Sequence, residues 1–391
     1  MPRVFRARFP ASLGMTRSGT AINNLPRDEP SRGSDGGRAA RLSRSRNLRR
    51  GDNPRGDNPM LLAGDIGGTK TDLAIYSAEA GPHSPLAGAE FHSADYPSLQ
   101  AIVTEFLSKE KISADRACFD VAGPVIAGRV KTTNLPWVMD ETSLASELNL
   151  KSVHLLNDLE AMAWSVPVLR PSDVRSLNAG TPDPRGSIAI VAPGTGLGES
   201  FLTWDGSRYI PHSSEGGHAD FAPTDERQIR LLEYMLKRFE HVSVEHVCSG
   251  IGIPNIYKFL RDVEHIPEKP DVAESVASAK DPSVVIIEAG VEPDTPSELC
   301  RAAIDMFVSI LASEAGNLAI KLLATGGVYL AGGVIVHTLG VLLDLGFMES
   351  FKRKGRFAGL MERIPIHVIT ARAALVGAAT YGLQSLKTGS F

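Results

Sequence analysis

Leu61-Leu-Ala-Gly-Asp65-Ile-Gly67-Gly68-Thr69-Lys-Thr-Asp-Leu-Ala-Ile75 reads as strand, glycine turn, strand. The same form returns in Ile188-Ala-Ile-Val-Ala-Pro-Gly194-Thr195-Gly196-Leu-Gly198-Glu-Ser-Phe-Leu202. Glycines let main-chain N–H groups approach an anion closely, and threonine adds a hydroxyl donor, so both turns suit phosphate oxygens. One such turn alone is equally an ordinary β-hairpin. Two in one chain, each between apolar strands, favour the phosphate reading. A third glycine-rich segment, Gly326-Gly-Val-Tyr-Leu-Ala-Gly332-Gly333-Val, runs from a strand into Gly-Gly ahead of Ile335–Leu343. Together the three suggest a nucleotide held between two halves of the molecule.

Two familiar nucleotide motifs are excluded. A P-loop needs GxxxxGK[ST], whereas Gly64-Asp-Ile-Gly-Gly-Thr69-Lys70-Thr71 puts threonine in the place of the second glycine and continues as a strand. A dinucleotide fingerprint needs GxGxxG opening a helix, and Gly194-Thr-Gly196-Leu-Gly198 has neither the spacing nor the helix.

Outward from these turns, strand and helix signals alternate. Ala117–Ala122 and Val153–Leu156 read as strands, the latter followed by a helix from about Asp158 to Trp164. Ser98–Glu110, Arg227–Phe239, Pro296–Leu323 and Ala371–Ser385 carry helical spacing. Pro167, Pro171, Pro182 and Pro184 punctuate a natural domain crossing. Such alternation predicts an α/β fold.

The chain has 391 residues, enough for two domains, with 43% hydrophobic and 22% charged residues, a globular composition. No uninterrupted apolar run reaches the ~18 residues of a membrane span. Cys118, Cys248 and Cys300 are scattered, which argues against both a disulfide framework and a thiolate zinc cage and for a reduced, cytoplasmic setting. Residues 1–59 hold 13 Arg, no Lys and five acidic residues, a net charge of +8, whereas the remainder carries −12. This segment ends in the duplication Arg50-Gly-Asp-Asn-Pro54, Arg55-Gly-Asp-Asn-Pro59 and lacks apolar periodicity, so the expectation is a disordered, dispensable extension, with Met60 as an alternative start. A nucleic-acid arm fits poorly, because aromatic residues for base stacking are nearly absent, and acids and prolines weaken a transit-peptide reading.

Two polar clusters remain. Leu155-Leu156-Asn157-Asp158 ends an apolar strand in an amide and a carboxylate, a position that commonly faces the ligand crevice of α/β proteins. Both residue types also serve as helix N-caps. An aspartate beside a phosphate donor can accept the proton of an attacking hydroxyl. Ser214-Glu215-Gly216-Gly217-His218-Ala219-Asp220 puts a carboxylate and an imidazole on a tight loop, and Glu245 precedes the turn at Ser249-Gly250. These acceptors suit an alcohol-rich ligand.

Asp65-Ile-Gly-Gly-Thr69, Thr132-Thr-Asn134-Leu-Pro-Trp137, Leu156-Asn-Asp158, Ala192-Pro-Gly-Thr-Gly-Leu-Gly198, Glu215-Gly-Gly-His-Ala-Asp-Phe-Ala-Pro223 and Ser249-Gly-Ile-Gly252 occur in this order. So ordered, they closely resemble the bacterial glucokinase family of the sugar kinase/Hsp70/actin superfamily, over essentially residues 60–391. The resemblance implies two actin-like (ribonuclease H-like) domains flanking a nucleotide and sugar cleft. The smaller would span residues 60–168 with 370–391, the larger 169–369. Glucose is implied against Asn134, Asn157, Asp158, Glu215, His218 and Glu245. ATP is implied on Gly64, Asp65, Ile66, Gly67, Gly68 and Thr69, on Gly194, Thr195, Gly196 and Gly198, and on Gly332 and Gly333. Asp65 would hold Mg²⁺ through water, and Asp158 would be the general base that forms glucose 6-phosphate, the first step of glycolysis. The related repressor/sugar-kinase group carries a cysteine-rich zinc motif after its Gly-Gly-His segment; nothing equivalent follows His218, so no zinc is expected. The resemblance also implies a homodimer, without nucleic-acid or membrane partners. Kinases for another hexose or an amino sugar remain alternatives. A sugar-responsive repressor would need paired helices in residues 1–59, where amphipathic spacing is missing.

Overall fold

The computed structural model describes residues 59–132, 135–292 and 294–389. Nearly all of the Arg-rich segment, and Asn134, lie outside the described residues. Two larger sheets carry the architecture. The first contains β1 (Met60–Ile66), β2 (Lys70–Ser77), β3 (Ala87–His92) and β4 (Arg116–Val121). A ribbon of β5 (Arg129–Lys131) and β6 (Val138–Asp140) then intervenes before β7 (Ser152–Asn157) completes that sheet. Its order is β3-β2-β1-β4-β7, antiparallel through β1 and parallel beyond it.

The second sheet contains β8 (Val174–Asn178), β9 (Ile188–Pro193), β10 (Leu197–Trp204), β11 (Tyr209–Ser214), β12 (Gly327–Leu330) and β13 (Ile366–Ile369). Its order, β11-β10-β9-β12-β13-β8, repeats the first arrangement and adds β8 antiparallel on the edge. The sequence repeat is therefore a repeat of topology. The glycine turns are the β1–β2 hairpin of the first sheet and the β9–β10 hairpin of the second, as the strand–turn–strand reading predicts.

Burial on both faces explains why β1 reads as an unbroken apolar run. Leu62 and Ile66 pack with Leu99, Ile102, Val103 and Phe106 of helix Leu99–Glu110. Leu61 and Ala63 pack with Ala378, Ala379 and Leu383 of helix Ala373–Thr388. That C-terminal helix also lies on helix Asp158–Ser165, so closely that a Cβ on Gly377 would stand 1.6 Å from the Ala161 carbonyl oxygen.

In the second sheet's core, helix Glu298–Leu322 sets Phe307, Val308, Leu311 and Ala315 in one cluster with Val191 and Val328. Among the described residues it is the one helix long and apolar enough to cross a membrane, but 78% of its apolar window is buried in the protein. It is a core helix. After Gly332-Gly333 the helix spans only Gly333–Thr338, shorter than the apolar run Ile335–Leu343 suggests.

The chain passes between the sheets at residues 166–173 and again at 370–372, and Asp173 joins the two passages. Its carboxylate accepts from the backbone N–H, Nε and Nη2 of Arg170. Its carbonyl accepts from Thr370 N–H at 2.9 Å and Ala371 N–H at 3.3 Å.

Candidate active site

The turn between β1 and β2 is closed by Gly67 N–H donating to the Lys70 carbonyl at 2.9 Å. Ser93, buried, holds it from behind: its hydroxyl donates to the Gly67 carbonyl at 2.8 Å and its N–H to the Thr69 carbonyl at 3.0 Å. With those carbonyls occupied, the N–H groups of Gly68 and Thr69 meet no protein acceptor among the described residues. The turn between β9 and β10 is built alike. Gly194 N–H donates to the Gly196 carbonyl, and the Ser249–Gly252 segment adds Gly250 N–H to the Gly194 carbonyl at 2.8 Å. Among the described residues, Thr195 and Gly196 N–H meet no protein acceptor. Two loops with free amides, one on each sheet, are anion-binding geometry.

Glu245 is part of the second turn. Its Oε2 accepts from Leu197 N–H at 2.8 Å, and a Cβ on Gly196 would stand 2.3 Å from that oxygen, so a side chain at 196 would displace this carboxylate. Gly332 closes the same region from the third glycine segment: its φ is +91°, and a Cβ would meet the Pro193 carbonyl oxygen at 2.4 Å. The structure thus brings together Gly194–Gly198, Glu245 and Gly332, which are far apart in the sequence.

Asp158 is the first residue of helix Asp158–Ser165. Asn157 caps that helix, its Oδ1 accepting from Leu159 N–H at 3.0 Å while its Nδ2 donates to the Gly123 carbonyl at 3.0 Å. The Asn157 side chain also hydrogen-bonds the Asp158 carboxyl and so fixes it beside the cap. The cap reading holds for Asn157, and it leaves Asp158 open for a role in a cleft. Solvent reaches Asp158, yet the protein mass around it raises its carboxyl above the ordinary aspartate range. Its charge in turn raises Asp65. The neighbouring Leu159 lies against Gly198, where a Cβ would be 2.9 Å from Leu159 Cδ2, so Asp158 belongs to the first sheet's helix but sits at the second turn.

On the loop after β11, His218 lies between two carboxylates, its Nε2 3.9 Å from Glu215 Oε2 and its Nδ1 4.0 Å from Glu245 Oε1. The Glu215 and His218 side chains are 89% and 62% exposed, so solvent has open access to both. Glu245 N–H donates to the Gly217 carbonyl at 2.9 Å, which ties this loop to the second turn.

Sequence reasoning missed Asp120, which lies in register with Asp65 across β1 and β4 and is fully buried. Neither of its carboxyl oxygens meets an N–H or hydroxyl donor among the described residues. Burial pushes Asp65 up to about 6 and Asp120 well above the ordinary range, and each carboxyl faces the other. An aspartate inside the apolar run Ala117–Val121 was the available signal. Among the described residues no group of three or more His, Cys, Asp or Glu side chains is arranged to hold a metal ion.

A family model described as Glucokinase matches residues 62–385. A glucokinase of Nostoc punctiforme is 40% identical over 336 residues, covering 82% of this chain and 98% of the relative. Among solved structures, a glucokinase from an Antarctic psychrotroph superposes with a TM-score of 0.71 at 30% identity, covering 83% of this chain and 99% of that one. A glucokinase from Balamuthia mandrillaris, solved in complex with glucose, has a TM-score of 0.65 at 22% identity over 83% of this chain and 94% of its own, a likeness of fold.

Proposed function

The chain belongs to the glucokinase family and is an enzyme that phosphorylates glucose; from that premise we propose that Asp158 is the general base and that the two glycine turns hold ATP. The observation that carries this reading is the position of Asp158, carried by a helix of the first sheet and seated through Leu159 on the turn of the second.

Asp158 accepts the proton of the glucose 6-hydroxyl. The sugar oxygen then bonds to the γ-phosphorus as the bond to the bridging oxygen breaks, giving glucose 6-phosphate and ADP. A carboxyl raised by burial is a stronger proton acceptor than an ordinary aspartate. The free N–H groups of Gly68, Thr69, Thr195 and Gly196 face the phosphate oxygens and stabilise charge as it moves toward ADP. Glu215, His218, Glu245, Asn157 and Asn134 hold the sugar hydroxyls, and Gly332 and Gly333 border the adenosine. The lobes are residues 60–168 with 370–391, and residues 169–369.

Magnesium fits the donors present. The ion is commonly held by one or two carboxylates and substrate phosphates, and Asp65 offers hard oxygen with the unpartnered Asp120 behind it. When bound, it neutralises charge on the transferring phosphate. Cys118, Cys248 and Cys300 are free, buried thiols, so we assign magnesium and no zinc. A cytoplasmic homodimer completes the reading; light scattering checks the dimer.

A coupled assay of ATP consumption across a hexose panel tests the substrate. Glucose should give the highest kcat/KM, EDTA should abolish turnover and magnesium should restore it, while a zinc-selective chelator has no effect. Preference for an N-acetylated amino sugar over glucose would sink the assignment.

A further inference from the structure

Asp65 is one member of a row. Glu90 on β3 pairs with Asp72 on β2, Asp72 with Asp65 on β1, and Asp65 with Asp120 on β4. Residues directly opposite on neighbouring strands share a face. Four carboxyl groups therefore line one rung of the first sheet, beside the turn read above as a phosphate cradle. Leu61 and Ala63, on the same face of β1, are covered by helix Ala373–Thr388, and the residue that caps this helix is Arg372. Its guanidinium reaches the outer end of the row: Nη1 is 2.7 Å from both oxygens of Asp72, and Nη2 is 2.7 Å from Glu90 Oε2. Lys70 Nζ adds one further contact to Glu90 at 2.7 Å.

A polyanion has no reason to settle next to uncompensated carboxylates. We propose that Arg372 is a positioning residue for the nucleotide: by clamping Asp72 and Glu90 it cancels charge beside the first glycine turn and so lets a polyphosphate bind there. The inference rests on the reading of that turn as a phosphate site. Three geometric facts favour it over a purely structural ion pair. The guanidinium spans two strands instead of meeting one partner. The Arg372 side chain is 61% exposed, so it faces the solvent from which a ligand arrives. Its charge also lies close enough to Asp65 to act on that carboxyl.

The consequence is graded by ligand charge. Removing one positive charge near the site weakens binding in proportion, on a logarithmic scale, to the negative charge of the ligand. MgADP carries about one net negative charge and magnesium-free ADP about three, so a twofold loss for the first implies about a tenfold loss for the second. Adenosine, uncharged, should be unaffected.

The test is calorimetric titration of the full chain and of Arg372→Ala and Arg372→Lys with adenosine, MgADP, and ADP in EDTA, at low salt. Arg372→Ala should leave adenosine affinity unchanged, weaken MgADP about twofold and ADP about tenfold, with the gap shrinking at high salt. Arg372→Lys keeps the charge and should stay within about threefold of the parent for ADP. An equal loss for all three ligands, or an unchanged ADP affinity in Arg372→Ala, would overturn the inference alone. If Arg372→Ala does not fold, a tenfold ADP loss in Arg372→Lys, whose charge is intact, would overturn it too. A parent chain that binds neither form of ADP would overturn the phosphate-site reading, and this inference with it.

Discussion

Glu199 follows directly on the last glycine of the second turn and is 2% exposed. A Cβ on Gly216 would stand 2.0 Å from its Oε2, while its Oε1 has no hydrogen-bond partner among the described residues. Burial first, and the charge of Glu314 second, push this carboxyl to about 7 from an ordinary 4.5. Between those two values the folded chain keeps a proton that the unfolded chain has lost. The corresponding stability is fully present below about pH 4.5 and disappears as pH rises through about 7. Glu199→Gln keeps the shape and removes the titration. In urea unfolding the variant should be more stable than the parent by about 3 kcal/mol at pH 8, with little difference at pH 4. Parallel pH profiles would show that ionised Glu199 is compensated. At this scale the proposed site was suggested where a residue type stands out locally, as in Asn157-Asp158 or Glu215-Gly-Gly-His218. Asp120 and Arg372 were not, because their meaning lies in pairing: Asp120 gains it from the register of β4 on β1, and Arg372 from a partner 300 residues away in the sequence.

Helix Ala373–Thr388 and helix Asp158–Ser165 form a pair whose contact sets the position of Asp158, the proposed general base. Their approach depends on Gly377, whose missing side chain leaves room for the Ala161 carbonyl. Helix propensity taken alone predicts that Gly377→Ala stabilises the chain by about 1 kcal/mol. The packing predicts the opposite, because a methyl group cannot occupy the place of a backbone oxygen and the helices must separate. Overpacking of this kind costs roughly 1–3 kcal/mol, and kcat should fall with it because Asp158 moves with its helix. A thermal midpoint above that of the parent would contradict this account. Elements buried on both faces, such as β1 and β9, were readable from their apolar runs, and the long helices from their spacing. Helix Pro282–Val291 was not, since Val284-Val-Ile-Ile287 is a β-branched run. It is helical through the Asp281 cap on Ser283 N–H, a proline in the first turn, and the packing of Ile286 and Ile287 in the second sheet's core.

Across the whole molecule, two copies of one sheet topology present their first hairpins to a common region, and two passages joined at Asp173 connect them. The repeat of sheet topology was legible in the repeated glycine turns. The joining of the passages was not, because the Asp173 carbonyl accepts from the N–H groups of 370 and 371 and from the Thr370 hydroxyl, partners almost 200 residues away that no local pattern marks. The proposed chemistry needs both copies at once, with Asp158 from one and the sugar-side loop at Glu215 and His218 from the other. Its central claim is that Asp158 moves a proton, while the loop grips hydroxyls remote from the reaction. Asp158→Asn keeps the side-chain shape and one hydrogen bond but cannot accept the 6-hydroxyl proton. Steady-state kinetics of this variant, together with its glucose affinity from titration, is the most direct test. The account predicts a kcat about 10²–10⁴-fold lower, with glucose affinity within about threefold of the parent. A kcat within about threefold of the parent with a raised glucose KM would make Asp158 a binding residue and contradict the claim.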